Sequence, residues 1–244
     1  MTTERDYGSG GRFALATPQG NPTVEPEMRR LFPPDVEYYT MRLTSKADDP
    51  RQRMVDYLEG LPTMAERYAG MTLDGLLFAC TASSYLVPPE DQWRLIEATE
   101  AHIGARVFMA AHAIRTWLED RGYQRIALLT PYPDWLNDPA EDWWCASGFE
   151  VAGKEQIRIG STDTYAIYEQ QTADARPHLD RWLDCDADAW VISGTGMPSL
   201  PLIRELTTDE RPLISSNLAL ATAGLLSLNR HTMLNDAADE CKDD

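Results

Sequence analysis

The residue most able to do chemistry is Cys80, in Ala79-Cys80-Thr81-Ala82-Ser83-Ser84-Tyr85, where an apolar run gives way to hydroxyl side chains. A thiol at such a junction can be activated, because N–H donors and a helix N-terminus favour the thiolate and lower a Cys pKa from about 8.5. Thiolates add to electron-poor carbon, and thiols pass protons to and from carbon. A free cysteine is also a small buried hydrophobe, so its position must decide between chemistry and packing. Cys145, Cys185 and Cys241 form no Cys-x-x-Cys pair, and no His stands at ligand spacing, which argues against a zinc site and a disulfide framework. Cys145 follows Trp143-Trp144 and reads as helix core, Cys185 precedes its strand and should face the far end of the sheet, and Cys241 lies in an acidic tail. His112 reads as a packing or capping residue, with no Ser and Asp spaced to complete a triad.

Neutral hydrogen-bond donors stand at other loops. Gly194-Thr195-Gly196 follows a second apolar run, and glycines there would let a carboxylate approach backbone N–H groups, although an ordinary turn reads the same way. Asn21 and Tyr132 can donate hydrogen bonds without charge; alone, Asn21-Pro22-Thr23 is a turn and helix cap, and Tyr132 an amphipathic surface aromatic.

These loops follow strand-like runs at 13–16, 37–43, 76–79, 107–110, 126–129, 156–159, 190–193 and 213–215. Helix-length segments such as 54–68, 92–102, 113–120 and 175–183 separate most of them, which predicts an α/β protein with parallel sheet. The pattern is duplicated. Arg12-Phe13-Ala14-Leu15-Ala16-Thr17-Pro18 reads like Arg125-Ile126-Ala127-Leu128-Leu129-Thr130-Pro131, and the run Asp74 to Thr81 reads like Asp188 to Thr195 at nearly the same spacing. A looser third pair joins Arg106 to His112 with Arg211 to Asn217. Three matches in one order predict two pseudo-symmetric lobes, each a parallel sheet flanked by helices: 1–112, then 113–216, with 217–244 as a helix returning to the first lobe and an acidic tail. Ligands of open α/β sheets bind beyond the strands' carboxyl ends, so the active site is expected in the interlobe cleft, lined by the loops after Ala16, Ala79, Leu129 and Ser193. Cys80 and Gly194 then occupy equivalent strand ends, which tips Cys80 from packing toward chemistry.

The composition is that of a soluble globule, 43% apolar and 25% charged. With 22 Lys and Arg against 39 Asp and Glu, a net charge of -17 disfavours nucleic acid and anionic membranes as partners. No apolar stretch is long enough to span a bilayer, and residues 1–6 lack the form of a secretory leader, so a cytoplasmic protein is expected. An anionic substrate would need local donors, because the global field repels it.

On these residues the chain resembles maleate cis-trans isomerase and arylmalonate decarboxylase, related branches of the aspartate/glutamate racemase superfamily. Pro18-Gln19-Gly20-Asn21-Pro22-Thr23-Val24-Glu25 is similar to the isomerases' substrate loop, Ala79-Cys80 to their first catalytic Cys, and Met197-Pro198-Ser199-Leu200 to the segment after their second. Arg125 to Leu129, Tyr132 and Asn137 are similar to the decarboxylase. The resemblance implies catalysis by Cys80 on a small dicarboxylate without metal or organic cofactor. It further implies that Asn21 and Tyr132 hold a carboxylate, with Thr81, Ala82, Gly194, Thr195, Gly196 and neighbouring amides forming an oxyanion pocket. Gly194 departs from the pattern, standing where both branches carry a Cys. A two-base racemase is thereby disfavoured. Malonate-type decarboxylation, which needs one proton donor, stands slightly ahead of maleate-type isomerisation; a binder or sensor that has lost catalysis is the alternative. Assembly into a homo-oligomer is compatible with the sequence.

Overall fold

A computed structural model of the chain describes residues 5–234. The first sheet is built from β1 (Gly11–Pro18), β2 (Val36–Leu43), β3 (Gly75–Phe78) and β4 (Arg106–Met109) in the order β2-β1-β3-β4. The second takes β5 (Arg125–Thr130), β6 (Glu150–Gln156), β7 (Ala189–Ile192) and β8 (Leu213–Ser215) in the order β6-β5-β7-β8. Every pairing is parallel. The registers repeat as well: Phe13 stands beside Gly75 in the first sheet, and Ile126 beside Ala189 in the second.

The central strands are buried on both faces, as apolar runs between helical layers must be. Asp74 and Asp188 repeat a second feature of the duplication. Asp74 Oδ2 accepts the Arg12 N–H at 2.7 Å, and Asp188 Oδ2 accepts those of Arg125 and Gln124, both at 2.8 Å. These backbone donors hold the Asp188 carboxyl below its ordinary range.

The first sheet is flanked by α1 (Val24–Leu31), α2 (Pro50–Glu59), α3 (Leu61–Ala65), α4 (Thr81–Leu86) and α5 (Pro89–Ile103). Then come α6 (Ala110–Glu119), α7 (Asp134–Ala146), α8 (Leu179–Leu183), α9 (Leu200–Leu206) and α10 (Ser216–Leu226). The expected boundary at residue 112 falls inside α6, and α10 packs on α6, α1 and β3. Among the described residues no helix is long and apolar enough to cross a membrane.

Three sequence expectations need correction, the first being the helix expected at 175–183, which is a 3-10 segment (Thr172–His178) containing Pro177 and becomes α-helix only in α8. The strand expected at 156–159 lies at Glu150–Gln156, because an edge strand half-open to solvent carries Lys154, Glu155 and Gly153 where a buried strand would be apolar. The single helix expected at 54–68 is α2, α3 and a 3-10 turn (Glu66–Tyr68), interrupted where Gly60 ends α2 and Pro62 opens α3.

Candidate active site

In each sheet the chain moves from the first strand to one neighbour and then crosses to the other side, so the strand order switches between β1 and β3, and again between β5 and β7. Loops leaving the carboxyl ends of strands at such a switch leave a crevice between them. Here the four loops meet: Asn21 follows β1, Cys80 follows β3, Tyr132 follows β5 and Gly194 follows β7. Together with Thr81, Ala82, Thr195 and Gly196 they line one cavity of about 30 Å³, room for a water or two. The structure thus gathers all eight residues singled out in the sequence.

Cys80 is buried at the N-cap of α4. Burial pushes its thiol up, more strongly than the Ser83 hydroxyl and the Ser83 and Ala82 N–H groups pull it down. The resting group is therefore a thiol. Ser83 Oγ lies 3.2 Å from the sulfur and 2.6 Å from the Met54 carbonyl oxygen. Its one hydrogen favours the shorter bond to the carbonyl, leaving an oxygen lone pair toward the S–H.

Asn21 is anchored by Oδ1, which accepts from Thr23 N at 2.9 Å and Val24 N at 3.3 Å and starts α1. Its Nδ2 has only a long contact, 3.4 Å to Thr195 Oγ1, so donor capacity remains. Tyr132 Oη lies 3.1 Å from both Thr81 Oγ1 and Ser193 Oγ, and Ser193 Oγ is 2.7 Å from Tyr85 Oη. Burial raises both phenols, Tyr85 to about 12, so they are neutral donors at ordinary pH.

The second lobe's loop is partly committed. Gly194 N donates to Ser216 Oγ at 2.9 Å, and Thr195 Oγ1 donates to Ala79 O at 2.9 Å. Neither Thr195 N nor Gly196 N finds an acceptor among the described residues, so those amides can receive an oxyanion. Among the described residues no charged side chain lines the cavity.

Sequence reasoning missed the roof. Thr164, Ile167 and Tyr168, from a 3-10 segment (Thr164–Glu169), complete the cavity with Met54 and Leu136. Thr164 Oγ1 is buried without a partner among the described residues, although it lines the cavity. Behind this wall, Tyr57 Oη is likewise buried and unpartnered, and its phenol is raised chiefly by desolvation, with Tyr168 and Cys80 close by. Arg53 pairs with Asp163 and stacks 3.9 Å over the Tyr165 ring.

The remaining candidates lie elsewhere. Cys145 is exposed, contrary to the core reading, because α7 buries Leu136, Ala140 and Trp144 at four-residue spacing and the next position turns outward. Cys185 precedes β7 half-buried, its sulfur 3.4 Å from Arg181 O. Cys241 lies outside the described residues. His112 bonds Gln92 Oε1 at 3.0 Å and stacks on Trp143.

The arylmalonate decarboxylase family model matches residues 15–240. A maleate isomerase from Nocardia farcinica (strain IFM 10152) is 30% identical over 237 residues, covering 90% of this chain and 89% of the relative. The maleate isomerase Iso from Pseudomonas putida S16, solved as a cysteine-to-alanine variant with maleate, superposes with a TM-score of 0.80 at 21% identity, covering 90% and 92% of the two chains. A cysteine-to-serine variant of the Nocardia farcinica isomerase, carrying a covalently bound succinylcysteine intermediate, gives 0.75 at 24% identity over 92% of this chain and 97% of that one.

Proposed function

Since the chain belongs to the arylmalonate decarboxylase family and is an enzyme of that family, we propose that Cys80 catalyses cis-trans isomerisation of a small dicarboxylate of the maleate type. The observation that carries this reading is the thiol's place in a narrow cavity of about 30 Å³ lined by neutral donors from both lobes. Any substrate must enlarge that space, and a four-carbon diacid requires far less enlargement than an arylmalonate. The 30% identity to a maleate isomerase points the same way. Both reverse the order in which the sequence alone ranks the two reactions.

In this reading Asn21 Nδ2 and the Tyr132 hydroxyl hold one carboxylate, while the free Thr195 and Gly196 amides accept charge on the other. The sulfur bonds to one alkene carbon. The thiol proton passes by way of the Ser83 hydroxyl to the other, giving a succinyl thioether with a freely rotating single bond. Rotation brings the other hydrogen of that carbon to the Ser83 oxygen; its loss together with the sulfur expels the trans isomer and restores the thiol. One sulfur and its own proton suffice, so the cycle does not need a second thiol at Gly194. No redox change occurs, and no cofactor is called for.

A specific observation keeps malonate decarboxylation as the second reading. Burial leaves Cys80 protonated, which is the state a donor to an enediolate requires. Incubation with maleate and, separately, with an arylmalonate, following fumarate and carbon dioxide, distinguishes the two. We expect fumarate, trapping of a maleate adduct on the Cys80 peptide, and a loss of at least about a hundredfold in Cys80→Ala. Full activity in that variant would overturn both readings.

The two-lobe division at 1–112 and 113–216, with 217–244 returning to the first lobe, belongs to the same reading and is supported by the packing of α10 on α1 and β3. A cytoplasmic location is supported by the unpaired thiols of Cys80, Cys145 and Cys185, which fit a reducing compartment.

A further inference from the structure

A second depression, of about 390 Å³, lies next to the thiol cavity and is walled by both lobes: Thr23, Glu27 and Arg30 on one side, Pro198, Leu200 and Arg204 on the other. Among the described residues Tyr168 alone lines both spaces. Its ring lies between two glycines, one from each lobe. A Cβ added at Gly196 would come within 2.9 Å of the ring, and one at Gly20 within 3.6 Å. The partition between the two spaces is thus one aromatic ring between bare backbones, on a 3-10 segment rather than a sheet strand.

The outer space carries positive charge. Against a net charge of -17, it presents two guanidiniums, and neither Arg30 nor Arg204 forms an ion pair among the described residues. Arg30 donates only to the Pro26 carbonyl, at 2.7 Å. The one carboxylate in the wall, Glu27, has its oxygens covered by Ser199 N at 2.6 Å, Leu200 N at 3.0 Å and Asn217 Nδ2 at 2.7 Å.

We propose that this depression is the entrance for the anionic substrate, in which Arg30 and Arg204 collect a dicarboxylate and Tyr168 swings aside to admit it to Cys80. The proposal rests on the dicarboxylate reading above. A local positive field raises the encounter rate of an anion by about tenfold or more and is screened by salt. Among the described residues the inner cavity holds no charged side chain, so charge selection belongs to the outer one.

Alkylation of Cys80 tests this without turnover. Iodoacetate and iodoacetamide are similar in size and differ in charge, and mass spectrometry of the Cys80 peptide separates this thiol from the other cysteines. The iodoacetate-to-iodoacetamide rate ratio is expected to fall about tenfold in the Arg30→Gln/Arg204→Gln double variant, and to fall likewise in the parent at high salt. Tyr168→Ala is expected to speed both reagents. A ratio indifferent to the two arginines, or rates indifferent to Tyr168→Ala, would overturn the entrance. Failure of maleate turnover with the ratio behaving as expected would instead sink the substrate reading and leave the entrance standing.

Discussion

At Gly194 the backbone holds φ at +133°, a conformation that L side chains rarely adopt, and a Cβ there would lie 3.1 Å from Cγ and Cδ of Pro131. The absence of a second thiol is therefore built into the loop, and restoring it by one substitution meets strain. Gly194→Cys should lose about 1–3 kcal/mol of stability by chemical denaturation and gain no two-base racemisation. A variant as stable as its parent would show that the loop relaxes freely. The same comparison explains the chemistry assigned to Cys80. A lone thiol held protonated by burial must supply both the nucleophile and the proton, and Ser83, 3.2 Å from the sulfur, is the group placed to carry that proton.

Three helices meet at His112. It extends from α6 to Gln92 of α5 and stacks on Trp143 of α7 at 6.0 Å between ring centroids. Burial lowers its pKa from 6.5 to about 4. Because the folded value lies below the unfolded one, the unfolded chain binds the extra proton first as pH falls. Stability present above about pH 6.5 is then lost progressively toward pH 4, by up to about 3 kcal/mol. His112→Gln should flatten that part of the stability-pH curve, measured by denaturant midpoints across the range; an unchanged curve would place the acid sensitivity elsewhere. Elements also mark what the sequence could and could not reveal. The duplicated runs at Arg12 and Arg125, and at Asp74 and Asp188, carried the two sheets and the facing strand ends, because buried strands need continuous apolar residues. Strand β6 and the 3-10 segment bearing Thr164, Ile167 and Tyr168 carry no such period. Their places follow from tertiary packing, so the cavity roof was illegible until the chain was folded.

On the scale of the whole molecule, the two lobes are held together across the site by bonds that also hold the cavity shut. Asp163, at the start of the 3-10 roof, pairs with the buried Arg53 of α2. Gln19 Nε2, from the loop after β1, donates to Tyr165 Oη at 2.5 Å. A cavity of about 30 Å³ cannot take a dicarboxylate in this state, so every turnover must break part of this latch. Asp163 is about 42% exposed, which tempers the pair to about 1–2 kcal/mol. Asp163→Asn keeps an oxygen to accept the Tyr165 N–H, now at 2.9 Å, while removing the charge that holds Arg53. Loss of 1–2 kcal/mol from the closed state raises the open population by about 5–30-fold. Neutral iodoacetamide should therefore reach Cys80 faster by a factor in that range, and the global unfolding free energy should fall by the same amount, about 1–2 kcal/mol, because the pair is absent from both the open and the unfolded states. An unaltered alkylation rate would mean that opening is governed by another contact, and that Arg53 and Asp163 only tie down the segment's surface end.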